Sequence, residues 1–254
     1  MDRIQREKLV PVFLNFGEAM MASGAEIGRV EDSLSRIGAS FGALRTEVFA
    51  ITASLVLTLR FEDGEYTGSR RINTSGDTDF NKLRRLNDLS RACVEKHLSP
   101  EELESRLDEI CSVSPKPLRQ YLGSAIAAGA FALFFGGRIW DGVFSAVVGL
   151  LICFLQRKAA PRFPNKAFFL FASSLLTGCC VCTLAKLLPF LPLQVDKVII
   201  GDIMLTVPGI ATTMAVRDMV IGDTISGVTK LLECLLWAGC LAAGFILALM
   251  LFGR

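Results

Sequence analysis

The sequence has a single histidine, His97, and little excess charge, with 27 Lys and Arg against 25 Asp and Glu in 254 residues. The spacing around this one histidine does not indicate a Ser-His-Asp or a Cys-His catalytic set. No glycine-rich phosphate loop of the Walker or Rossmann type is present, which disfavours an ATP-driven pump. A net charge of +2, without a basic run interleaved with aromatics, gives no indication of nucleic-acid binding.

The eight cysteines follow neither a disulfide framework nor a metal site. Six lie within apolar segments, and only Cys93 and Cys111 lie in the more polar N-terminal part. Cys180-Val181-Cys182 lacks the Cys-x-x-Cys spacing of zinc sites, and His97 has no companion ligand nearby. We interpret the cysteines as small apolar core residues, and we predict no metal and no cofactor.

Charge is spread unevenly along a chain that is 52% hydrophobic. Residues 1–117 hold 16 Lys and Arg and 19 Asp and Glu, whereas residues 118–254 hold 11 and 6. This contrast predicts a soluble domain over 1–115 and a transmembrane domain over 116–254, joined near Pro115-Lys116-Pro117. The first 30 residues lack a basic-then-apolar signal peptide, so we expect the soluble domain to stay in the cytoplasm.

Apolar segments long enough to cross a bilayer predict five spans, at 118–135, 140–155, 167–188, 198–215 and 231–252. The shorter second and fourth segments can also be re-entrant. The second loop carries Arg157, Lys158, Arg162 and Lys166, and the positive-inside rule makes it cytoplasmic. We therefore expect a multi-pass protein of the plasma (inner) membrane with its N-terminus inside and its C-terminus outside.

Small residues recur four apart on these spans, in Gly142 with Ala146, Ser145 with Gly149 and Gly239 with Ala243. This spacing lets helices approach closely, either within one bundle or at a subunit interface. Five helices make a thin bundle for enclosing a polar path. A partner subunit or self-assembly into a homo-oligomer is therefore expected.

The soluble part predicts a small α+β domain of order ααββαα. Apolar residues at helical spacing predict helices through Leu9–Met20 and Val30–Phe41, with Ser23-Gly24-Ala25-Glu26 as a capping box before the second and Gly42 at its end. Strict alternation from Phe49 to Phe61, the Asp63-Gly64 turn and a strand from Tyr66 to Ile72 predict a hairpin. A helix over 79–97 and a helix capped by Ser99-Pro100-Glu101-Glu102 complete the domain.

Charged groups in this domain are candidates for function: Glu26, Arg29, Glu31 and Asp32 near the start of the second helix, and Arg70 and Arg71 on a strand. Carboxylates in a first helical turn stabilise the helix dipole, and this favours Glu26 as a cap. Adjacent strand residues point to opposite faces, so one arginine of the pair turns inward and needs a carboxylate or an anionic ligand.

Residues 201–227 interrupt an apolar stretch with a helix-breaking pair and several charges. We predict a substrate path around this broken fourth span, formed by Asp202, Thr206, Pro208, Gly209, Thr212, Thr213, Arg217, Asp218 and Asp223. The threonines could bond a carboxylate or hydroxyl, Arg217 could clamp a carboxylate from the cytoplasmic end, and Asp202 could carry a coupling proton. Two alternatives stay open: Asp202 snorkels near Asp196 and Lys197 at the outer surface, and Arg217-Asp218 is an interfacial salt bridge.

Three segments carry a resemblance to the threonine/serine exporter family: MMASGAEIGRVEDSLSRIGASFG at 20–42, the following ITASLVLTLRFEDG, and VPGIATTMAVRDMVIGDTISG at 207–227. The chain is similar to half-length members, which work with a second, smaller membrane subunit. The resemblance implies export of small carboxylate solutes, threonine and serine or a dicarboxylate such as succinate. The family's patterned positions fall here on Ser23, Gly24, Glu26, Arg29, Glu31, Pro208, Gly209, Arg217, Asp218, Gly222, Asp223 and Gly227.

The leading hypothesis is a subunit of a secondary exporter in the lipid bilayer, driven by the proton gradient. A membrane-anchored hydrolase with a catalytic N-terminal domain is one alternative. A regulatory or assembly subunit without a path of its own is the other.

Overall fold

The structure is a computed structural model, and it describes residues 3–72, 78–113, 116–190 and 192–252. The predicted domain junction at Pro115 lies outside these residues. The chain divides into two compact units, and the division differs from a simple cut in sequence. The first unit contains the N-terminal part up to residue 114 together with Ile210–Leu231, and the second contains residues 115–209 together with the chain from Leu232 onward.

The first unit combines helices with one antiparallel sheet in the order β1-β2-β3. Its elements are α1 (Arg3–Ala22), α2 (Ile27–Ser40), β1 (Arg45–Ile51), β2 (Ser54–Phe61), β3 (Gly64–Arg71), α3 (Phe80–Lys96), α4 (Pro100–Ser112), and, from later in the chain, α9 (Gly209–Val220) and the start of α10 (Thr224–Phe252). The apolar stripes of α1 and α2 that the sequence predicted form the core against the sheet, with Phe13, Phe16 and Leu34 fully buried.

The predicted hairpin at Asp63-Gly64 is confirmed, since β2 pairs antiparallel with β3. Its first strand is not continuous, because the alternating stretch folds into two strands that turn at Thr52 and Ala53. Ala50 of β1 pairs with Leu55 of β2, so even positions of β1 share a face with odd positions of β2. Phe49 is consequently 60% exposed although its alternation matches that of the buried leucines. A tight turn reverses the chain without interrupting the hydrophobic alternation, so the observed order is ααβββαα.

The predicted third and fourth helices are confirmed, and so is the capping box predicted at Ser99. Asp79 accepts a hydrogen bond from the Lys82 backbone N–H at 2.9 Å, and α3 ends at His97 in the left-handed region, with φ 48°. Ser99 and Glu102 form the reciprocal capping box at the start of α4. These ends follow from short-range hydrogen bonds that satisfy the first N–H groups of each helix.

The cysteines are only partly the buried residues that the sequence predicted. Four of the cysteines are buried, namely Cys93, Cys153, Cys182 and Cys234, whereas Cys111 is exposed near the end of α4. Burial raises the pKa of the Cys93 thiol to about 11 despite the opposing effect of Arg106. This thiol therefore remains protonated and behaves as a small apolar side chain.

The secondary structure of the second unit consists of helices in its described residues. It contains α5 (Pro117–Phe134), α6 (Ile139–Lys158), a short 3-10 helix (Ala160–Arg162), α7 (Lys166–Leu187), α8 (Val195–Thr206) and the remainder of α10. α5 packs against both α6 and α8, and α7 contacts α6 and α8.

Three helical segments of the described chain are long and apolar enough to cross a membrane, namely Ile139–Arg162, Lys166–Leu187 and Thr224–Phe252. The pair α8 and α9, interrupted between Thr206 and Gly209, makes a fourth if it is counted as one span. The first predicted span, now α5, is not among them because Arg119, Gln120 and Tyr121 occupy its first two turns. The protein is a helical membrane protein in which length and composition identify three to four spans among the described residues, and the predicted fifth span stays a prediction.

The close packing of α5 on α6 agrees with the prediction that small residues four apart on α6 let another helix approach. A Cβ added at Gly149 would lie 2.9 Å from both the Ala128 Cβ and the Ser124 carbonyl oxygen. The Ser124 hydroxyl also donates to the Gly149 carbonyl at 2.7 Å. Gly239 on α10 differs, since a Cβ there would meet no described atom within 4 Å.

We expect Gly149→Ala to destabilise the protein by about 1–3 kcal/mol, because one methyl group overfills the α5–α6 contact. Gly239→Ala is the matched control and should leave stability unchanged or slightly higher. The apparent melting temperature of the purified protein in detergent measures both. Equal melting temperatures for the two variants would contradict the close contact.

Candidate functional site

The turn before α2 is a fixed structure, but it is not the capping box that the sequence predicted. The Ser23 hydroxyl donates to the Ala19 carbonyl at 2.7 Å instead of accepting from α2, and Gly24 has φ +86°. α2 begins at Ile27, and the Glu26 side chain at its N-cap position makes no cap hydrogen bond within the described part of the chain. The carboxylate of Glu26 is thus directed to a different partner.

That partner is Arg217 of α9, which lies 191 residues later in the chain but within the same compact unit. Arg217 Nη1 donates to Glu26 Oε1 at 2.5 Å, and Nη2 lies 2.5 Å from Oε2. The side chains are 40% exposed for Arg217 and 30% for Glu26. The alternative of an Arg217–Asp218 salt bridge is therefore wrong.

Asp218 instead pairs with a lysine at the start of α10. The Lys230 ammonium donates to Asp218 Oδ2 at 2.7 Å, and the Asp218 side chain is 1% exposed. Gly227 makes this approach of α9 and α10 feasible, since a Cβ there would lie 2.7 Å from the Ala215 carbonyl oxygen. The turn between the two helices contains Gly222 with φ +104°.

The remaining motif residues of the N-terminal part hold secondary structure together. Glu31 accepts from the Ala50 backbone N–H at 3.2 Å, which ties α2 to β1, and Arg29 is exposed. Arg70 is the half-buried member of its pair and lies 2.9 Å from Glu18 of α1, whereas Arg71 is exposed. The prediction that one of the two arginines turns inward to a carboxylate is confirmed.

Asp202 is the most deeply buried carboxylate of α8, with 0% exposure. The Ser145 hydroxyl of α6 donates to its Oδ1 at 2.9 Å, and its Oδ2 has no hydrogen-bond partner among the described residues. The neighbouring Gly201 lies against Ser145 and Ala128, so α8 approaches α5 and α6 closely here. The alternative that Asp202 snorkels beside Asp196 and Lys197 is wrong, because the Asp202 side chain is fully buried. Asp196 and Lys197 pair with each other instead.

The break after α8 lies at Val207 and Pro208, as Pro208-Gly209 predicted. The Thr206 hydroxyl donates to the Ile203 carbonyl at 3.0 Å, and the Thr213 hydroxyl donates to the Ile210 carbonyl at 3.1 Å. These two hydroxyls therefore bond to their own helices, and Thr212 is half-buried on α9. Asp223 is half-buried ahead of α10, where its carbonyl accepts from the Gly227 N–H at 2.9 Å.

One buried acid was missed by the sequence analysis. Asp141 is 0% exposed near the start of α6, and it accepts from the Gln194 backbone N–H at 2.8 Å and the Arg138 backbone N–H at 2.7 Å. The available signal was an acid in the first turn of a helix, a position that commonly caps. Its second bond, to the residue that precedes α8, is visible only in the fold.

Comparison with known proteins identifies the family. The family model for threonine/serine exporters (ThrE) matches residues 11–252, which is nearly the whole chain. The chain belongs to the threonine/serine exporter family. This membership confirms the resemblance seen in the sequence, and the apolar helices agree with a membrane protein.

Two proteins that are similar to this chain differ in length. A threonine/serine exporter of Corynebacterium glutamicum is 23% identical over 98% of this chain, and the chain spans 52% of that protein, about half its length. A protein of Klebsiella aerogenes named as a probable succinate transporter subunit, YjjP, is 23% identical over 99% of this chain and 97% of its own length. No solved structure matches the chain.

For this exporter-family chain, Lys230→Ala should reduce the free energy of unfolding by about 3–5 kcal/mol, because the buried Asp218 loses its only charged partner among the described contacts. Arg36→Ala removes an exposed pair with Asp32 on α2 and should change stability by less than about 1 kcal/mol. Thermal unfolding of the purified protein in detergent compares them, and a Lys230→Ala variant as stable as Arg36→Ala would refute the pairing.

Proposed function

We propose that this chain is a subunit of a secondary exporter for small carboxylate solutes, either threonine and serine or a dicarboxylate such as succinate. It works with a second, smaller membrane subunit. Nearly full-length similarity to a protein named as a transporter subunit supports this reading. The chain is similar to only about half of the longer exporter. This agrees with a two-subunit transporter, because a second polypeptide would supply the part that corresponds to the other half.

The observation that carries the proposal is the buried Asp202 in α8. An ionised carboxylate surrounded by apolar helices is unfavourable unless it is paired, and this one has a single hydroxyl donor and a second oxygen without a described partner. Such groups serve as proton carriers in transporters, because they gain and lose a proton as their surroundings open to water. We therefore assign the coupling proton to Asp202.

The interruption after α8 supports a substrate path in the same part of the chain. Proline at position 208 cannot continue the helical hydrogen-bond ladder, and α9 restarts at Gly209 with the positive end of its dipole. Interrupted helices bind anionic substrate groups in several transporter folds. The path is built from Asp202, Thr206, Pro208, Gly209, Thr212 and Thr213, with Arg217, Asp218 and Asp223 following in α9 and the turn after it.

The arrangement of helices in the second unit supports five spans, with α5 as the first. The hydrogen bond of Ser124 to Gly149 and the contact of Arg157 with Gln120 make α5 and α6 antiparallel. The basic loop after α6 therefore lies at the same end as the start of α5. An apolar stripe on α5, formed by Leu118, Leu122 and Ile126, is exposed, as expected of a helix that faces lipid.

Five spans and four spans place the C-terminus on opposite sides of the membrane. With the N-terminal domain in the cytoplasm, we expect alkaline phosphatase fused after residue 252 to be active in the periplasm of a bacterial host, and green fluorescent protein fused there to be dark. The opposite pattern would mean that α5 does not cross the bilayer. A fusion in the basic loop at residue 163 is a second readout: it should give the cytoplasmic pattern, and it would give the periplasmic pattern if α5 did not cross.

Cells that carry this chain and its partner should lose labelled threonine, serine or succinate faster than cells without them. Asp202→Asn should reduce that efflux by about tenfold or more, because the amide retains the shape and the Ser145 contact but cannot exchange a proton. It should also remove the dependence of efflux on the proton gradient.

Asp196→Asn is the matched control, since Asp196 lies on the same helix but its side chain is 67% exposed and pairs with Lys197. Its efflux should equal that of the wild type. Unchanged efflux of all three solutes on expressing the chain with its partner would refute the exporter reading, and normal gradient-driven efflux by Asp202→Asn would refute the assignment of the proton.

A further inference from the structure

We propose that Glu26 occupies the carboxylate-binding position of Arg217 and must be displaced by the substrate carboxylate. Glu26 is then a competing internal ligand that keeps the recognition site closed until substrate arrives. The inference rests on the proposed function, because it takes the substrate to be a small carboxylate. It adds a regulatory role for a residue of the N-terminal part.

The geometry of the Glu26–Arg217 ion pair is the first support. Nη1 of the guanidinium donates to Oε1 of Glu26 at 2.5 Å, and Nη2 lies 2.5 Å from Oε2 but makes no hydrogen bond among the described residues. Arginine can hold a free carboxylate through both terminal nitrogens, so Glu26 occupies this edge of the guanidinium and leaves Nη2 unsatisfied. A guanidinium edge engaged in this way cannot bind a second carboxylate in the same manner, so the two ligands are mutually exclusive.

Glu26 has no local task that would explain its position. It stands at the N-cap of α2, yet its side chain makes no cap hydrogen bond in the described part of the chain. The acid adjacent to Arg217, Asp218, is engaged by Lys230 and leaves the guanidinium to Glu26. The pairing therefore connects two distant family motifs rather than stabilising a helix end.

The ion pair is also partly exposed. The side chains are 40% exposed for Arg217 and 30% for Glu26, although Nη2 of Arg217 is itself buried. Partly hydrated ion pairs contribute little net free energy, since water solvates the separated charges well. A solute carboxylate can therefore compete with Glu26 at concentrations at which a fully buried pair would resist it.

The turn that presents Glu26 is held in place by the residues that precede α3. The Asp79 backbone N–H donates to the Ser23 carbonyl at 3.1 Å. A Cβ added at Gly24, whose φ is +86°, would lie 2.9 Å from the Thr78 hydroxyl oxygen. Because this turn is anchored to the start of α3, the displaced carboxylate stays near Arg217 and closes the site again when the solute leaves.

Binding to the purified protein tests the inference independently of transport. Ligand-induced thermal stabilisation by succinate, L-threonine and L-serine is titrated against wild type, Glu26→Gln and Arg217→Gln. Glu26→Gln should bind one of the three solutes about fivefold or more tightly than wild type does. This factor is the reciprocal of the fraction of wild-type molecules in which Glu26 leaves Arg217 free. Arg217→Gln should abolish that binding. Asp32→Asn is the matched control, an exposed acid on α2 paired with Arg36, and should bind like wild type.

A charge exchange separates recognition from a purely structural tie. In the double variant Glu26→Arg/Arg217→Glu, the ion pair can form again with its charges exchanged. If the pair is only a structural tie, binding and efflux should return to wild-type levels. If Arg217 recognises the substrate, the double variant should lack both binding and efflux. Three results would overturn the inference. They are restored binding and efflux in the exchange variant, wild-type binding in Glu26→Gln, and no binding of any of the three solutes to Glu26→Gln. Absent efflux despite Glu26-sensitive binding would instead overturn the exporter proposal alone.

Discussion

A carboxylate removed from water has to be paired, hydrogen-bonded or protonated, and the second half of this chain meets that constraint in three ways. Asp141 accepts two backbone N–H groups, Asp218 binds the Lys230 ammonium, and Asp202 receives one serine hydroxyl. The first two are fully engaged and stabilise the fold. The third is incompletely satisfied, which is why it carries the functional assignment.

Meeting the constraint requires backbones to approach closely, and this explains where the small residues lie. Gly201 brings α8 to Ser145, Gly149 brings α6 to α5, and Gly227 brings the start of α10 to α9. Without a hydrophobic driving force between helices in lipid, such contacts and the polar bonds beside them provide the association energy. The same close contacts thus hold the helices together and position the buried acids.

Local features of the fold were predictable, and features that depend on chain reversal were not. The capping box at Ser99 was predicted because it requires only residues within one helical turn. The turn at Thr52 and Ala53 was missed because the hydrophobic alternation continues through it. The capping box predicted at Ser23 and Glu26 was wrong, because Ser23 bonds to Ala19 and Glu26 pairs with Arg217 instead. Membership in the exporter family was recognised from three short segments, since those segments are distinctive in sequence.

The sequence by itself determined the division into a charged and an apolar part, the helix-breaking pair at Pro208 and Gly209, and the set of residues from which a site could be built. Only the tertiary structure decided which of them meet: Glu26 with Arg217, Asp218 with Lys230, and Asp202 with Ser145. Periodicity and capping act over a few residues and can be read along the chain. A charge finds its partner across the fold, where the neighbour is set by packing and by the requirement to neutralise what packing has buried.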